Sequence, residues 1–459
     1  MKVYGNVLEM VGKTPMLEIS KLDTGTCALF LKLELWNPAG SIKDRIGVSM
    51  IEEAEKRGDL KPGGTIIEAT AGNTGLGLAL VAAQKGYRVV LVLPDKMSQE
   101  KIFNLRAMGA EVILTRSDVE KGHPEYYQDL GARLARERGW YHVNQFGNPD
   151  NPKAHAETTG PEILEQMDGR VDAVVVGVGS SGTIAGLTQC FRERLPSVEL
   201  ILADPEGSVL ADQVNKGSYG TAGSWLVEGI GEDFIPEICD FSMCRKAYSI
   251  PDAESFATAR EILRAEGLLV GSSTGTLVAA ALRYCREQKD QKRVVTFACD
   301  TGNKYLSKLF NDFWMEDQGF IQRKRHGDLR DLVGRPHDER ATVTVGPGDV
   351  LTTAHNRLRN AGFSQLPVME SDRLVGFIDE DDILRHAFGN PERFNDPVRA
   401  AMHTNFLTVE PDFALRNLVA LLDVQPYAAV MDDGQFQGLI TRADVLNYLR
   451  RQMTVAAVH

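Results

Sequence analysis

Four short segments concentrate the residue types that do chemistry, and the first of them holds a lysine. In Asn37-Pro-Ala-Gly-Ser-Ile-Lys-Asp-Arg45, Pro and Gly mark a turn, Ser41 can cap the helix that follows, and Lys43 falls in its first turn. The positive end of a helix dipole disfavours a cation at that point and helps to depress the amine's pKa. A neutral amine is a nucleophile that forms Schiff bases with aldehydes. Taken alone, a solvated surface lysine between ordinary neighbours, with Asp44 and Arg45 in water, is the simpler reading.

The second segment, Glu68-Ala-Thr-Ala-Gly-Asn-Thr-Gly75, lies between a strand pattern and a helix pattern. Thr70, Ala71, Gly72, Asn73 and Thr74 leave backbone N–H groups free to hold an anion at the helix start, and a substrate carboxylate is a natural occupant. The third, Val176-Gly-Val-Gly-Ser-Ser-Gly-Thr183, is again strand to helix; Gly179, Ser180, Ser181, Gly182 and Thr183 read as a phosphate cradle. The same stretch matches G-x-G-x-x-G, and Asp204 ends the next strand where a nicotinamide-binding fold would place its ribose acid, so a dehydrogenase stays open as an alternative. The fourth is Gly271-Ser-Ser-Thr-Gly275. It opens another helix; Ser272 and Thr274 read best as caps, and Ser273 is free for a heteroaromatic nitrogen or an anion.

These segments need strands and helices to hold them. Up to about Met315, short β-branched runs alternate with amphipathic stretches: Gly64–Glu68, Val89–Leu93, Val112–Leu114, Ala173–Val176, Leu200–Ala203 and Val294–Ala298. That alternation predicts an α/β fold of mostly parallel sheet covered by helices, with ligands at the carboxyl ends of the strands. The stretch 317–339 loses apolar periodicity, turns charged around Arg323-Lys-Arg325, and reads as a linker. Beyond it a repeat begins: Thr344-Val-Gly-Pro347 matches Thr408-Val-Glu-Pro411, and Gly376-Phe-Ile-Asp379 matches Gly438-Leu-Ile-Thr441, at offsets of 64 and 62 residues. Two small α+β units, about 340–395 and 396–459, are expected to pack as a pair, because each is too small to bury a core well.

Composition narrows the function. A chain of 459 residues with 43% hydrophobic and 25% charged residues is a multidomain globular protein. A formal net charge of −12 argues against nucleic acid as a partner. The six cysteines, at 27, 190, 239, 244, 285 and 299, show no Cys-x-x-Cys pair, which fits buried thiols in a reducing compartment and no metal site. No apolar run is long enough to span a bilayer, and Met1–Gly5 lacks a signal-peptide character, so the cytoplasm is the expected location.

Taken together and in this order, the four segments resemble the β-family, or fold-type II, of pyridoxal-phosphate enzymes, which holds the cysteine synthases and the cystathionine β-synthases. The resemblance covers roughly residues 3–315, with Asn6–Pro15, Asn144-Gln145-Phe146, Asn151–His155, Val227–Gly231 and Asp300-Thr-Gly302 as supporting stretches. It implies two parallel-sheet subdomains over residues 1–316. The repeat resembles the paired CBS motifs of a Bateman module, and the combination points to the cystathionine β-synthase branch.

The resemblance implies that Lys43 carries pyridoxal 5'-phosphate as a Schiff base and acts as the catalytic base. Asn73 bonds the cofactor's 3'-oxygen, Gly179 through Thr183 hold its phosphate, and Ser273 faces the pyridine nitrogen. Thr70, Ala71, Gly72, Asn73, Thr74 and Gln145 clasp the substrate carboxylate. The implied reaction replaces the hydroxyl of serine with homocysteine, giving cystathionine and water, or releases hydrogen sulfide when cysteine is the donor. Cysteine synthesis from O-acetylserine or O-phosphoserine is the nearest alternative, and a metabolite sensor with an inactive catalytic half is a third. A homodimer or larger homo-oligomer is implied.

Departures from the family pattern carry expectations too. Ala71 replaces a common serine, and Phe146 and Glu232 stand where animal relatives have tyrosines. No haem is expected, since the chain starts directly in the catalytic region and His155 reads as a structural helix residue. Thr441 and Asp444 match a ribose-binding pattern for an adenosyl ligand such as S-adenosylmethionine; in the first copy Asp379, Glu380, Asp381 and Asp382 crowd that site with charge. An unliganded, purely structural repeat is the competing reading.

Overall fold

The computed structural model describes residues 3–456 except 71, 96, 98, 121, 219, 323 and 324, with backbone alone over 451–456. The Ala71 expectation and part of the basic run Arg323–Arg325 lie outside the described residues. The chain divides into two compact units, Met1–Phe310 and Asn311–His459. Among the described residues no helix is long and apolar enough to cross a membrane.

The first unit carries two sheets. The larger has the strand order Met16–Ile19, Ala28–Lys32, Arg293–Phe297, Ala173–Gly177, Glu199–Pro205 and Cys244–Ile250, parallel throughout except for the antiparallel first pair. The smaller runs Glu111–Thr115, Arg88–Pro94, Thr65–Ala69 and Tyr141–His142, all parallel. Central strands such as Ala173–Gly177 are nearly all apolar because helices cover both faces; Val174 and Val175 are fully buried. The α/β class with two parallel-sheet subdomains is the one the sequence predicts.

Two helices of this unit meet backbone against backbone. A Cβ added to Gly77, in the helix Asn73–Lys85, would stand 2.7 Å from the Lys43 carbonyl oxygen, and one on Gly47, in the helix Lys43–Arg57, 2.8 Å from the Gly77 carbonyl carbon. No larger residue fits at either place. The contact sets Lys43 beside the first turn of the Asn73 helix.

Behind Lys43 the same helix is fastened by ions. Arg45 donates to both oxygens of Glu34 at 2.7 and 2.8 Å and to Glu162 at 2.8 Å, and Lys32 pairs with Glu162 at 2.7 Å. Lys32, Glu34 and Arg45 are buried. Asp44 is buried as well, accepts from the Ala39 N–H at 2.6 Å, and burial pushes its carboxyl up to about 7. Asp44 and Arg45 are therefore not the solvated neighbours of the simpler sequence reading. They clamp the helix start that presents Lys43.

The second unit repeats one motif. Helix Leu351–Ala361, hairpin Gln365–Glu370 and Arg373–Asp379, and helix Glu380–Ala387 are followed by helix Leu415–Leu422, hairpin Tyr427–Asp432 and Gln435–Thr441, and helix Arg442–Ala456. Both hairpins shift register at equivalent points, Val368/Met369 and Val430/Met431. Met369 and Phe377 of the first copy share a core with Tyr427, Ala429 and Phe436 of the second, as expected of units too small to stand alone. Within the stretch 317–339, Leu329, Leu332 and Val333 are buried against the second copy's core.

Glu68, in the strand Thr65–Ala69 that feeds the second segment, is almost completely buried, and its Oε2 has no partner among the described residues. Burial pushes its carboxyl up to about 8, against backbone hydrogen bonds from Asn144, Gln145 and Ala69 that act the other way. The folded protein thus holds this proton to higher pH than the unfolded chain, whose value is about 4.3. The stability contribution is complete below the unfolded value and is lost as pH rises through about 8. Thermal unfolding of the wild type between pH 5 and pH 8.5 is expected to show a decline that Glu68→Gln makes shallower, the buried Asp44 and Glu232 carboxyls supplying the rest; parallel curves for the two proteins would contradict this.

Candidate active site

A cleft of about 790 Å³ lies at the carboxyl ends of both sheets. Lys43, Thr70, Gly72, Asn73, Thr74, Gln145, Gly179, Ser180, Ser181, Thr183 and Ser273 all line it. Gly182 stands just behind, packed on Asn151. Four helices begin at the cleft, with first residues Lys43, Asn73, Gly182 and Ser272, so their first turns and positive dipole ends converge on one space.

Lys43 opens its helix, with its N–H donating to the Ser41 hydroxyl at 3.2 Å. The turn before it is pinned to 299–301: Ile42 N donates to the Cys299 carbonyl at 2.9 Å and Thr301 N to the Gly40 carbonyl at 3.1 Å. Burial lowers the amine's pKa, while Cys299, Glu232 and Asp300 pull the other way. Desolvation thus favours the neutral amine that condensation with an aldehyde requires.

In the second segment Thr70 Oγ1 accepts from Gly72 N at 3.3 Å, and Thr74 Oγ1 donates to Gln145 Oε1 at 2.7 Å. Thr74 and Gln145, 71 residues apart, therefore form one wall. In the third, Ser181 sits at φ 67° and its buried hydroxyl has no partner among the described residues. Asn151 donates to Ser180 Oγ at 3.0 Å and to the Gln145 carbonyl at 2.8 Å. Thr183 Oγ1 lies 3.3 Å from His155 Nε2, whose Nδ1 lies 2.9 Å from Thr159 Oγ1. Burial pushes His155 down to about 3, so the ring is a neutral spacer between two threonines. In the fourth segment Ser272 Oγ accepts from Glu228 N at 3.1 Å and Thr274 Oγ1 from Cys299 N at 3.0 Å. Neither is the expected cap, since the helix is preceded by Gly271 at its N-cap; both are occupied in these bonds to other segments, and Ser273 lines the cleft.

Asp204 is fully buried, accepts from Ala211 N at 2.8 Å and does not line the cleft. It ties down the helix Leu210–Lys216 and cannot reach a ribose, which removes the support for the nicotinamide alternative.

Several cleft residues have no role in the sequence reading. Lys101 and Lys308 both pair with Glu228, the latter at 2.7 Å. Lys304 donates to Asn73 Oδ1 at 2.6 Å, and Asn73 Nδ2 donates to Asp300 Oδ2 at 2.8 Å. Lys304 ends the 3₁₀ turn Gly302–Lys304 and Lys308 lies in a non-helical turn after it, so no helical periodicity marks either in the sequence. Phe146 and Glu232, two of the three departures, both line the cleft; burial pushes the Glu232 carboxyl up to about 8.

The second unit has its own cavity of about 580 Å³, lined by Thr441 and Asp444 among others. Thr441 donates from N and Oγ1 to the same Asp444 oxygen at 2.8 and 2.6 Å. In the first copy Asp379 and Asp382 cap each other's N–H groups, and Asp382 is also bonded to His403 at 2.7 Å.

These residues fit a phosphorylated aldehyde: a desolvated amine at Lys43, an unpartnered buried hydroxyl at Ser181 among helix N–H groups, and room for a cofactor with a substrate. Residues 7–300 match the family model of pyridoxal-phosphate dependent enzymes, and residues 338–389 and 398–451 each match the CBS domain. Fold and site thus define a pyridoxal-phosphate dependent enzyme. The chain is 35% identical to cystathionine beta-synthase of Oryctolagus cuniculus, with 98% of this chain and 85% of the rabbit protein covered. It is 38% identical to that of Mus musculus over 94% and 78%. The crystal structure of an O-acetylserine dependent cystathionine beta-synthase from Helicobacter pylori superposes with a TM-score of 0.61 at 37% identity, covering 67% of this chain and 99% of that one. The chain belongs to the cystathionine beta-synthase family.

A Cβ on Gly182 would lie 1.7 Å from Asn151 Oδ1. Gly182→Ala is therefore expected to push Asn151 off Ser180 and Gln145, costing about 2 kcal/mol and weakening cofactor retention. Thermal unfolding together with cofactor titration checks this, and wild-type values in both would contradict the geometry.

Proposed function

We propose that the protein replaces the β-hydroxyl of serine with the thiol of homocysteine, giving cystathionine and water, with hydrogen sulfide released when cysteine is the donor. The observation that carries the reading is the convergence of the desolvated Lys43 amine with two anion-binding helix starts, 70–74 and 179–183, in one cleft. Pyridoxal phosphate, when bound, supplies the electron-withdrawing system that acidifies the substrate's α-carbon. Gly179, Ser180, Ser181, Gly182 and Thr183 would hold its phosphate, Asn73 its ring oxygen, and Ser273 its pyridine nitrogen. A neutral serine does not stabilise a protonated ring, which suits elimination over transamination.

The remaining work falls to side chains. Thr70, Gly72, Asn73, Thr74 and Gln145 would hold the substrate carboxylate and so fix the α-carbon next to Lys43. The free Lys43 amine takes the α-proton as a general base and passes a proton to the departing hydroxyl oxygen, which leaves as water. The homocysteine sulfur then bonds to the β-carbon, and the thiol proton balances the one carried away.

A second reading has one observation in its favour. The Helicobacter pylori neighbour is described as O-acetylserine dependent, and this chain is 37% identical to it. An activated serine is therefore the alternative donor, and with sulfide as acceptor the enzyme would be a cysteine synthase.

In the same reading residues 1–316 form the catalytic domain, 317–339 a connection and 340–459 the regulatory pair. Thr441 and Asp444 would meet an adenosyl ligand, S-adenosylmethionine, in the 580 Å³ cavity. Pyridoxal phosphate without haem, a cytoplasmic location and a homodimer or larger assembly complete it. The test is mass spectrometry of the products from serine plus homocysteine, and from O-acetylserine plus sulfide, each with and without S-adenosylmethionine. Cystathionine as the dominant product is expected, with a rate that responds to the adenosyl compound in the wild type and not in Asp444→Ala. Cysteine formation alone would favour the second reading, and absence of turnover with every donor would overturn both.

A further inference from the structure

Asp300 touches three of the four helix starts at the cleft. Its backbone pairs with Ser41, two residues before Lys43, and its carbonyl accepts from Gly271 N at 3.1 Å, two residues before Ser273. Its carboxylate accepts from Asn73 Nδ2 at 2.8 Å and from the Tyr305 hydroxyl at 2.7 Å. It is buried, with burial raising its pKa and Lys304, Asn73, Tyr305 and Lys101 acting the other way.

The opposite end of the Asn73 carboxamide is equally constrained. Lys304 Nζ donates to Asn73 Oδ1 at 2.6 Å and is itself steadied by the carbonyls of Ala39 and Gly40 at 3.1 and 3.3 Å. An ammonium can only donate and a carboxylate can only accept. A flipped amide would turn its NH₂ towards the ammonium and its oxygen towards the carboxylate, two repulsive contacts where there are now two charge-assisted bonds. The pair therefore permits one orientation, and the second N–H of Asn73 remains as a donor on a side chain that lines the cleft.

We propose that Asp300 and Lys304 are positioning residues that lock the Asn73 carboxamide with an N–H turned towards the cofactor's ring oxygen. Neither need touch the reacting atoms. The ammonium on Oδ1 also polarises the amide and strengthens that N–H as a donor. This inference rests on the cofactor reading given above, in which Asn73 meets the ring oxygen.

The test uses the full-length protein freed of cofactor and titrated with pyridoxal phosphate, for wild type, Asp300→Asn, Lys304→Met, Lys304→Arg and Asn73→Ala. Asp300→Asn and Lys304→Met are expected to raise the cofactor dissociation constant about tenfold or more, the scale of one lost charge-assisted bond. They should also move the pH midpoint of the visible absorption band. Lys304→Arg, which still donates, should restore most of both. In the Asn73→Ala background, Asp300→Asn should add almost nothing, because its effect runs through that amide. Full additivity in the double variant, or an unchanged spectrum and affinity in both single ones, would overturn the proposal. If Asp300→Asn fails to fold, Lys304→Met with its arginine control decides. Borohydride trapping of cofactor on Lys43 is scored in every protein; its failure in the wild type would tell against the cofactor reading and not against this one.

Discussion

The backbone contact between Gly47 and Gly77 governs the geometry of the catalytic unit. With Cβ positions closed to anything larger than hydrogen, two helices approach until one glycine's peptide lies against the other, and the Lys43 carbonyl comes next to Gly77. The first turns of both helices then open into one space, the first carrying the amine and the second Asn73. Any side chain at either glycine would push the amine away from the amide. The ion cluster of Lys32, Glu34, Arg45 and Glu162 secures the other side of the Lys43 helix. Buried ion pairs of this kind contribute specificity of arrangement more readily than net stability. Here two cations and two carboxylates balance, and losing any one would strand its partner.

The electrostatics of the cleft follow from that arrangement. Positive helix ends and four lysines, Lys43, Lys101, Lys304 and Lys308, surround a space built for anions. Three of the lysines are held by partners: Lys101 and Lys308 by Glu228, Lys304 by Asn73 and two carbonyls. Burial lowers the pKa of all four; Lys43 differs in opening a helix at the cleft, where the positive dipole end adds to desolvation, which suits a nucleophile and base. The chemistry needs a neutral amine at this place, and desolvation at a helix start favours that form of Lys43.

Much of this was legible in the residues themselves. Glycines and hydroxyls crowded between an apolar run and a helical pattern have few structural explanations, so 70–75, 177–183 and 271–275 read as helix starts able to hold a ligand, and the family resemblance implies that they share one cleft. The 62-residue repeat was legible for the same reason, because equivalent turns and β-bulges need equivalent residues. What could not be read were pairings made by the tertiary fold. Asn73 and Asp300 are 227 residues apart, and Arg45 and Glu162 are 117 apart. In sequence Arg45 looks like half of a solvated pair. Asp204 misled in the opposite direction: an acid at a strand end fits a ribose ligand and a helix-binding carboxylate equally well until its burial is known. Leu329, Leu332 and Val333 hid among charges because three apolar residues in a short 3₁₀ turn leave no periodicity to detect.

Of the four lysines that line the cleft, Lys43 is the one proposed to carry the cofactor. Reduction of the cofactor-loaded protein with borohydride, followed by peptide mass mapping, reads that position directly. The pyridoxyl mass is predicted on the peptide that carries Lys43 and on no other. Its appearance on Lys101, Lys304 or Lys308, or its absence from every peptide, would contradict the account.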